Sequence, residues 1–158
     1  MAKSEKLKPK SLPAEHWKDE PDEHDYPAAS DYLSLLMGES EVQAAVNALR
    51  GATITHRKAK DLLRASRLAL LPPENAHVAL DLDKVRRGDH LSPILLVRGS
   101  AEHDTPLTVA DGYHRICASN HIDENADIPC RIASRSEISV ATIGRPDPSS
   151  GALPASYS

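Results

Sequence analysis

The sequence has no Phe, one Trp and an aromatic content of only 3%, so any core must be assembled mainly from Leu, Ile, Val and Ala. Cysteine is equally scarce. The two present, Cys117 and Cys130, exclude a disulfide framework and fit buried free thiols in a reducing compartment. Long apolar runs are missing too: stretches such as Ile94–Val97 fall far short of the roughly 20 residues that cross a bilayer. The start, Met1-Ala2-Lys3-Ser4-Glu5-Lys6, leads into Pro and charged residues where a secretory signal would be apolar, so the expected location is cytoplasmic. Nor does one sign of charge dominate. A net charge of −4 and a pI near 6.0 exclude global attraction to nucleic acid or anionic membrane, and phosphate binding would need a local patch.

What is present is enough for one packed core: 158 residues with 40% hydrophobic content, suiting a single α+β domain. Residues 1–27 carry Pro9, Pro13, Pro21 and Pro27 among many charges and read as a disordered N-terminal arm. Residues 144–158, rich in Pro, Ser, Gly and Ala, read as a flexible tail. The span 28–143 is expected to fold, with a helical extension over 28–65.

Within that span, Ser30 is a plausible cap for a short helix carrying Tyr32, Leu33, Leu35 and Leu36. Ser40 is a plausible cap for a second, with Val42, Ala45, Val46 and Leu49 on one face and Gly51 as its stop. A third helix is expected over His56–Ala65. From Arg50 to Arg67 six Lys or Arg stand against one acid, Asp61, a basic stretch that reads as a solvated face or as a wall facing phosphate or nucleic acid. Val78–Val85 suggests a helix or turn closing at Gly88. Ile94–Val97, bounded by Pro93 and Gly99, reads as a buried strand, and Leu107–Ala110 as its hairpin partner. Helical spacing follows over Tyr113–Ile122, then a strand over Ile128–Ala133, where Pro129 indicates an edge or a strand start.

The chemically informative segment is Asp111-Gly112-Tyr113-His114-Arg115, between the second of these strands and the helix. Gly112 lets the backbone turn tightly against a ligand, and the helix behind it presents unpaired N–H groups with the positive end of its dipole. His114 and Arg115 add side-chain donors, and Arg can grip two phosphate oxygens. Asp111 is suited to hold the turn, orient His114 or reach a metal ion carried by a nucleotide; Asp111 and His114 are the catalytic candidates.

The wider pattern, strand, Asp-Gly-Tyr-His-Arg, helix, then Ile128-Pro129-Cys130-Arg131-Ile132, resembles the core of the ParB/sulfiredoxin superfamily. The motif there is written G-E-R-R in ParB proteins, G-G-C-H-R in sulfiredoxins and D-G-H-H-R in free-serine kinases. The likeness spans about Leu91–Ala133, with Asp61-Leu62-Leu63-Arg64 similar to an upstream leucine-arginine segment, and the kinase form is nearest. It implies a small mixed sheet with helices, and Gly112, Tyr113, His114 and Arg115 contacting a nucleoside triphosphate or diphosphate, with Mg2+.

Residues then sort the family chemistries. Tyr113 stands where sulfiredoxins need cysteine, and a Pro/Ser-rich tail is expected after Ile143 where ParB proteins continue to a helix-turn-helix domain. The serine kinases place a carboxylate after the leucine-arginine segment, where this chain has Arg64-Ala65-Ser66-Arg67, leaving Glu74, Asp81 or Asp83 as substitutes. The function read from the sequence is therefore nucleotide or phosphate binding, with phosphotransfer or nucleotide hydrolysis as its chemistry. The alternative is a catalytically silent regulatory module that meets nucleic acid or a protein partner through the basic helix 56–67. A rival use of the same helix is zinc, from His114, Cys117 and His121 at one-face spacing with Cys130 from the next strand.

Overall fold

A computed structural model describes residues 15–143. The expected tail at 144–158 and the first fourteen residues of the expected arm lie outside the described residues. The remainder of that arm is built into the fold. Its His16–Trp17 strand (β1) pairs in parallel with His90–Leu91 (β3), Pro21 and Tyr26 are buried, and a helix starts at Asp25. The charge density of this segment masked its anchors: Trp17 packs on one core and Tyr26 is part of another.

Helix α1 covers Asp25–Leu33 and α2 covers Glu39–Gly51. Ser30 therefore lies inside α1, where it caps nothing. The α2 start is held by Glu41, whose carboxylate accepts from the Gly38 N–H at 3.1 Å. Thr55–Lys58 forms strand β2 and only Ala59–Ser66 forms helix α3, so the expected basic helix 56–67 loses its first three residues to the sheet. Its first residues are drawn into the sheet by antiparallel pairing with Asp127–Cys130. Helix α4, Ala76–Arg87, begins under the Asn75 side chain, which accepts from the N–H groups of His77 and Val78. It ends at Gly88, whose φ of 78° supplies the left-handed C-cap.

Strands β4 (Ile94–Val97) and β5 (Thr108–Asp111) form the expected antiparallel pair, and α5 covers Tyr113–Ile122. Strand β6 (Asp127–Ala133) and helix α6 (Arg135–Ile143) follow. The four-stranded sheet has the order β2-β6-β4-β5, with β6 parallel to β4. Thus β6 is an inner strand and not an edge. Pro129 is accommodated because pairing with β4 begins one residue later, at Cys130.

Both faces of the sheet are covered, which explains why β4 is apolar throughout. Ile94 and Leu96 join Leu62, Leu63, Val78, Leu82 and Ile116 on the side of α3, α4 and α5. Leu95 and Val97 join Tyr26, Leu33, Val42, Leu49 and Ile138 on the side of α1, α2 and α6. Helices α1 and α2 are thus one wall of the core, and the expected N-terminal extension is integral to a three-layer α+β domain.

Candidate functional site

The β5–α5 junction follows from its residues. Asp111 is the last paired residue of β5, opposite Leu95. Gly112 then adopts φ 117°, ψ 15°, a conformation that favours glycine. A side chain here would also run into Ile94 and crowd Nη2 of Arg115. No side chain caps the first turn of α5, so its leading N–H groups lack the partner that an ordinary N-cap provides.

This junction forms part of the wall of a cleft of about 630 Å³. The facing wall is α4, which presents His77, Leu80, Asp81, Lys84 and Arg87 at spacings that repeat every helical turn. The third side comes from Lys18, Asp22, His24 and Asp25, with His90 and Ser92 from the β3–β4 region. All five residues of the Asp-Gly-Tyr-His-Arg segment line the cleft. Of the three substitute acids, Asp81 lines it, while Glu74 and Asp83 do not; Asp83 pairs with Arg86 at 2.6 Å.

Charge in the cleft is closely compensated. Arg115 donates to Asp111 at 2.6 Å and stands 3.6 Å from Asp25. Lys18 holds Asp22 at 2.7 Å, Arg87 holds Asp89 at 3.1 Å, and Lys84 lies 3.9 Å from Asp81. The Lys18, Lys84 and Arg87 side chains are half exposed, so these pairs are weak and can exchange their anion for a ligand. Arg115 is the exception, only 14% exposed and fixed between two carboxylates.

Burial raises Asp81 and Asp111 from the ordinary carboxylate value; Lys84 and then Arg115 only partly oppose it at Asp81, and Arg115 does so at Asp111. Burial, then the neighbouring His77, lowers His114, so its imidazole is neutral at pH 7. Its ring lies 4.7 Å from that of His77, tilted by 40°. Tyr113 donates its hydroxyl to the Ala69 carbonyl at 2.5 Å, which pins the loop after α3. Tyr113 is thus a structural anchor.

The residues considered for zinc are held by separate partners. Cys117 accepts from the Leu71 N–H at 3.5 Å, His121 meets the Leu71 carbonyl at 2.7 Å, Cys130 donates to the Thr55 carbonyl at 3.5 Å, and His114 turns to His77. Burial raises both thiols, which disfavours the thiolates that zinc needs. Among the described residues, the one group of three donors close enough to share a cation is Asp22, His24 and Asp25. Lys18 already pairs with that Asp22, and Asp25 accepts from the buried Ser92 hydroxyl.

Compared with models of known families, with curated proteins and with solved structures, the chain gives no match. Among the described residues no helix is long and apolar enough to cross a membrane.

The basic stretch does not reach the cleft. None of residues 56–67 lines it, although α3 packs on the same core as α5. Residues 123–127, with Asp123, Glu124 and Asp127, lie beside β2 and the start of α3, where the Lys60 N–H donates to the Glu124 carbonyl and Lys58 stands 3.8 Å from Asp127. Arg64 pairs with Asp61, and Arg67 pairs with Asp104 at 2.5 Å. The excess of positive charge is smaller in the fold than along the chain.

Sequence reasoning missed Lys18, Asp22, His24 and Asp25 because they sit in a segment read as an arm. The available signal was apolar: Trp17 and Tyr26, two of only five aromatic residues, are costly to leave in water. His77 and His90 share no motif or spacing in the sequence, and only the fold brings them to the cleft.

Proposed function

We propose that the protein binds a phosphate-bearing small molecule, a nucleotide, in the cleft at the start of α5. The observation that carries this reading is Gly112. It opens α5 with a positive φ and no side-chain cap, inside a cleft that also holds the half-exposed Lys18, Lys84 and Arg87, with Arg115 fixed at the turn. Uncapped amides, a helix N-terminus and exchangeable cations form an anion site by ordinary electrostatics. The ParB/sulfiredoxin resemblance, carried by Asp111–Arg115 and Ile128–Ile132, assigns the same residues to nucleotide phosphates.

Five carboxylates also line the cleft, from Asp22, Asp25, Asp81, Asp89 and Asp111. Mg2+ accompanying the nucleotide would offset their repulsion of the phosphates, and Asp22, His24 and Asp25 offer it oxygen and nitrogen donors. Where phosphoryl transfer accompanies binding, Asp81 is the carboxylate suited to take the proton of the attacking hydroxyl or water. Burial has raised its affinity for that proton. Asp111, bound by Arg115, positions that guanidinium instead.

The test is calorimetric titration with ATP and ADP, with and without Mg2+, on the wild type and on Lys84→Ala and Arg87→Ala. Binding weakened several-fold by each substitution supports the site. No binding of either nucleotide, or unchanged affinity in both variants, defeats it.

A further inference from the structure

The Gly112 end of the cleft accounts for phosphate, yet about 630 Å³ is the size of pocket that takes a whole organic ligand. Where α4 meets the first turn of α5 the cleft wall is chemically different. Leu80 is 58% exposed although α4 otherwise turns Val78, Leu82 and Val85 into the core. It lines the cleft three residues after His77, which is also exposed and whose ring leans on that of His114. Tyr113 continues the ring cluster, its centroid 5.5 Å from that of His114.

Depth orders these groups. Asp81, Asp111 and Arg115 are the occluded part of the cleft, whereas His77 and Leu80 stand at its rim. A ligand with phosphates at Gly112 therefore puts its remaining bulk against the α4 rim. An exposed leucine on the same helix face as one of two imidazoles in ring contact offers apolar and π surface, with the ring nitrogens as its polar groups.

We propose that the rim where α4 meets α5, formed by Leu80 and the rings of His77 and His114, is the seat of the nucleotide's base, held by stacking and apolar contact. The assignment rests on the nucleotide reading of the same cleft and adds to it the seat of the base, which a sugar phosphate or inorganic polyphosphate would leave unused. Every base has a flat π face, so such a platform is tolerant of base identity.

The experiment compares ATP, GTP, CTP and inorganic tripolyphosphate by calorimetry in Mg2+, for the wild type, Leu80→Ala and Leu80→Trp. Leu80 is exposed, so both variants retain the fold. The expected result is ATP binding at least about 10-fold tighter than tripolyphosphate, with the other nucleotides close to ATP. Leu80→Ala should cut that advantage about 3- to 10-fold and Leu80→Trp should widen it, with tripolyphosphate unchanged in both. Tripolyphosphate binding as tightly as ATP, or an ATP advantage indifferent to both substitutions, overturns the base seat while leaving the phosphate site standing. Failure of every anion to bind overturns both.

Discussion

Arg115 and Asp111 meet at 2.6 Å across the Gly112 turn, joining the last residue of β5 to the first turn of α5, with Asp25 a further 3.6 Å from the same guanidinium. The side chains of Arg115 and Asp111 are 14% and 20% exposed, so the pair is largely withdrawn from water. Arg115 consequently serves the fold as well as any ligand. An arginine read from sequence as a phosphate grip is here already gripping carboxylates.

Arg115→Ala should therefore destabilise the protein by about 2–3 kcal/mol, because it strands two carboxylates near each other; the figure allows for their partial exposure. Arg115→Lys, which keeps the charge but loses the fork, should cost less. Urea unfolding of both variants measures this. Equal stability of the wild type and Arg115→Ala would show the pair to be structurally idle.

Asp81 gives a prediction with a definite sign in pH. Its folded-state affinity for a proton is raised by burial, so its contribution to stability is present at low pH and is lost as pH rises through the folded-state value. Asp81→Asn removes that loss: the variant should melt above the wild type at pH 7, with the gap closing toward pH 3. If phosphoryl transfer occurs, the same variant should still bind nucleotide but turn over about 100-fold more slowly or worse. A variant that melts lower at pH 7 than the wild type contradicts the assignment.

Legibility in the sequence followed the locality of the cause. Helix α5 and the β4–β5 pair were readable because period, Pro93, Gly99 and Gly112 act within a few residues. Strand β2 was not: His56-Arg57-Lys58 has no strand pattern of its own, and its conformation comes from pairing with Asp127–Cys130, seventy residues on. The inner position of β6 was hidden for the same reason, since Pro129 argues locally for an edge while the register with β4 starts after it. In the cleft, Asp111–Arg115 was visible as a continuous motif. His24, His77 and His90 come from separate elements, and no spacing links them.

The partners of Cys117, His121 and Cys130 predict the response to metal removal. Each is satisfied by a backbone group of Leu71 or Thr55, and the buried thiols resist ionisation. Strong chelators should leave the melting temperature within about 1 °C, whereas a structural zinc site contributes much of the folding energy of a small domain. A fall of several degrees with EDTA, reversed by added zinc, would restore the zinc assignment.

Gly112 offers the sharpest test of the junction, because two separate costs fall on one Cβ. Ala at φ 117° is strained by about 1–3 kcal/mol whatever surrounds it, and here it also meets Ile94. Ile94→Val alone, which deletes the Cδ1 methyl at a fully buried position, should cost about 0.5–1.5 kcal/mol. The two substitutions should not add: the methyl removed by Ile94→Val is the atom a Cβ at Gly112 strikes first, so the double variant should be more stable than the sum of the singles predicts. The backbone strain remains in the double variant, as does the push on Arg115 Nη2, 3.0 Å from that Cβ. Gly112→Ala/Ile94→Val should thus regain stability without regaining nucleotide affinity, and recovery of both together would place the role of Gly112 in packing alone.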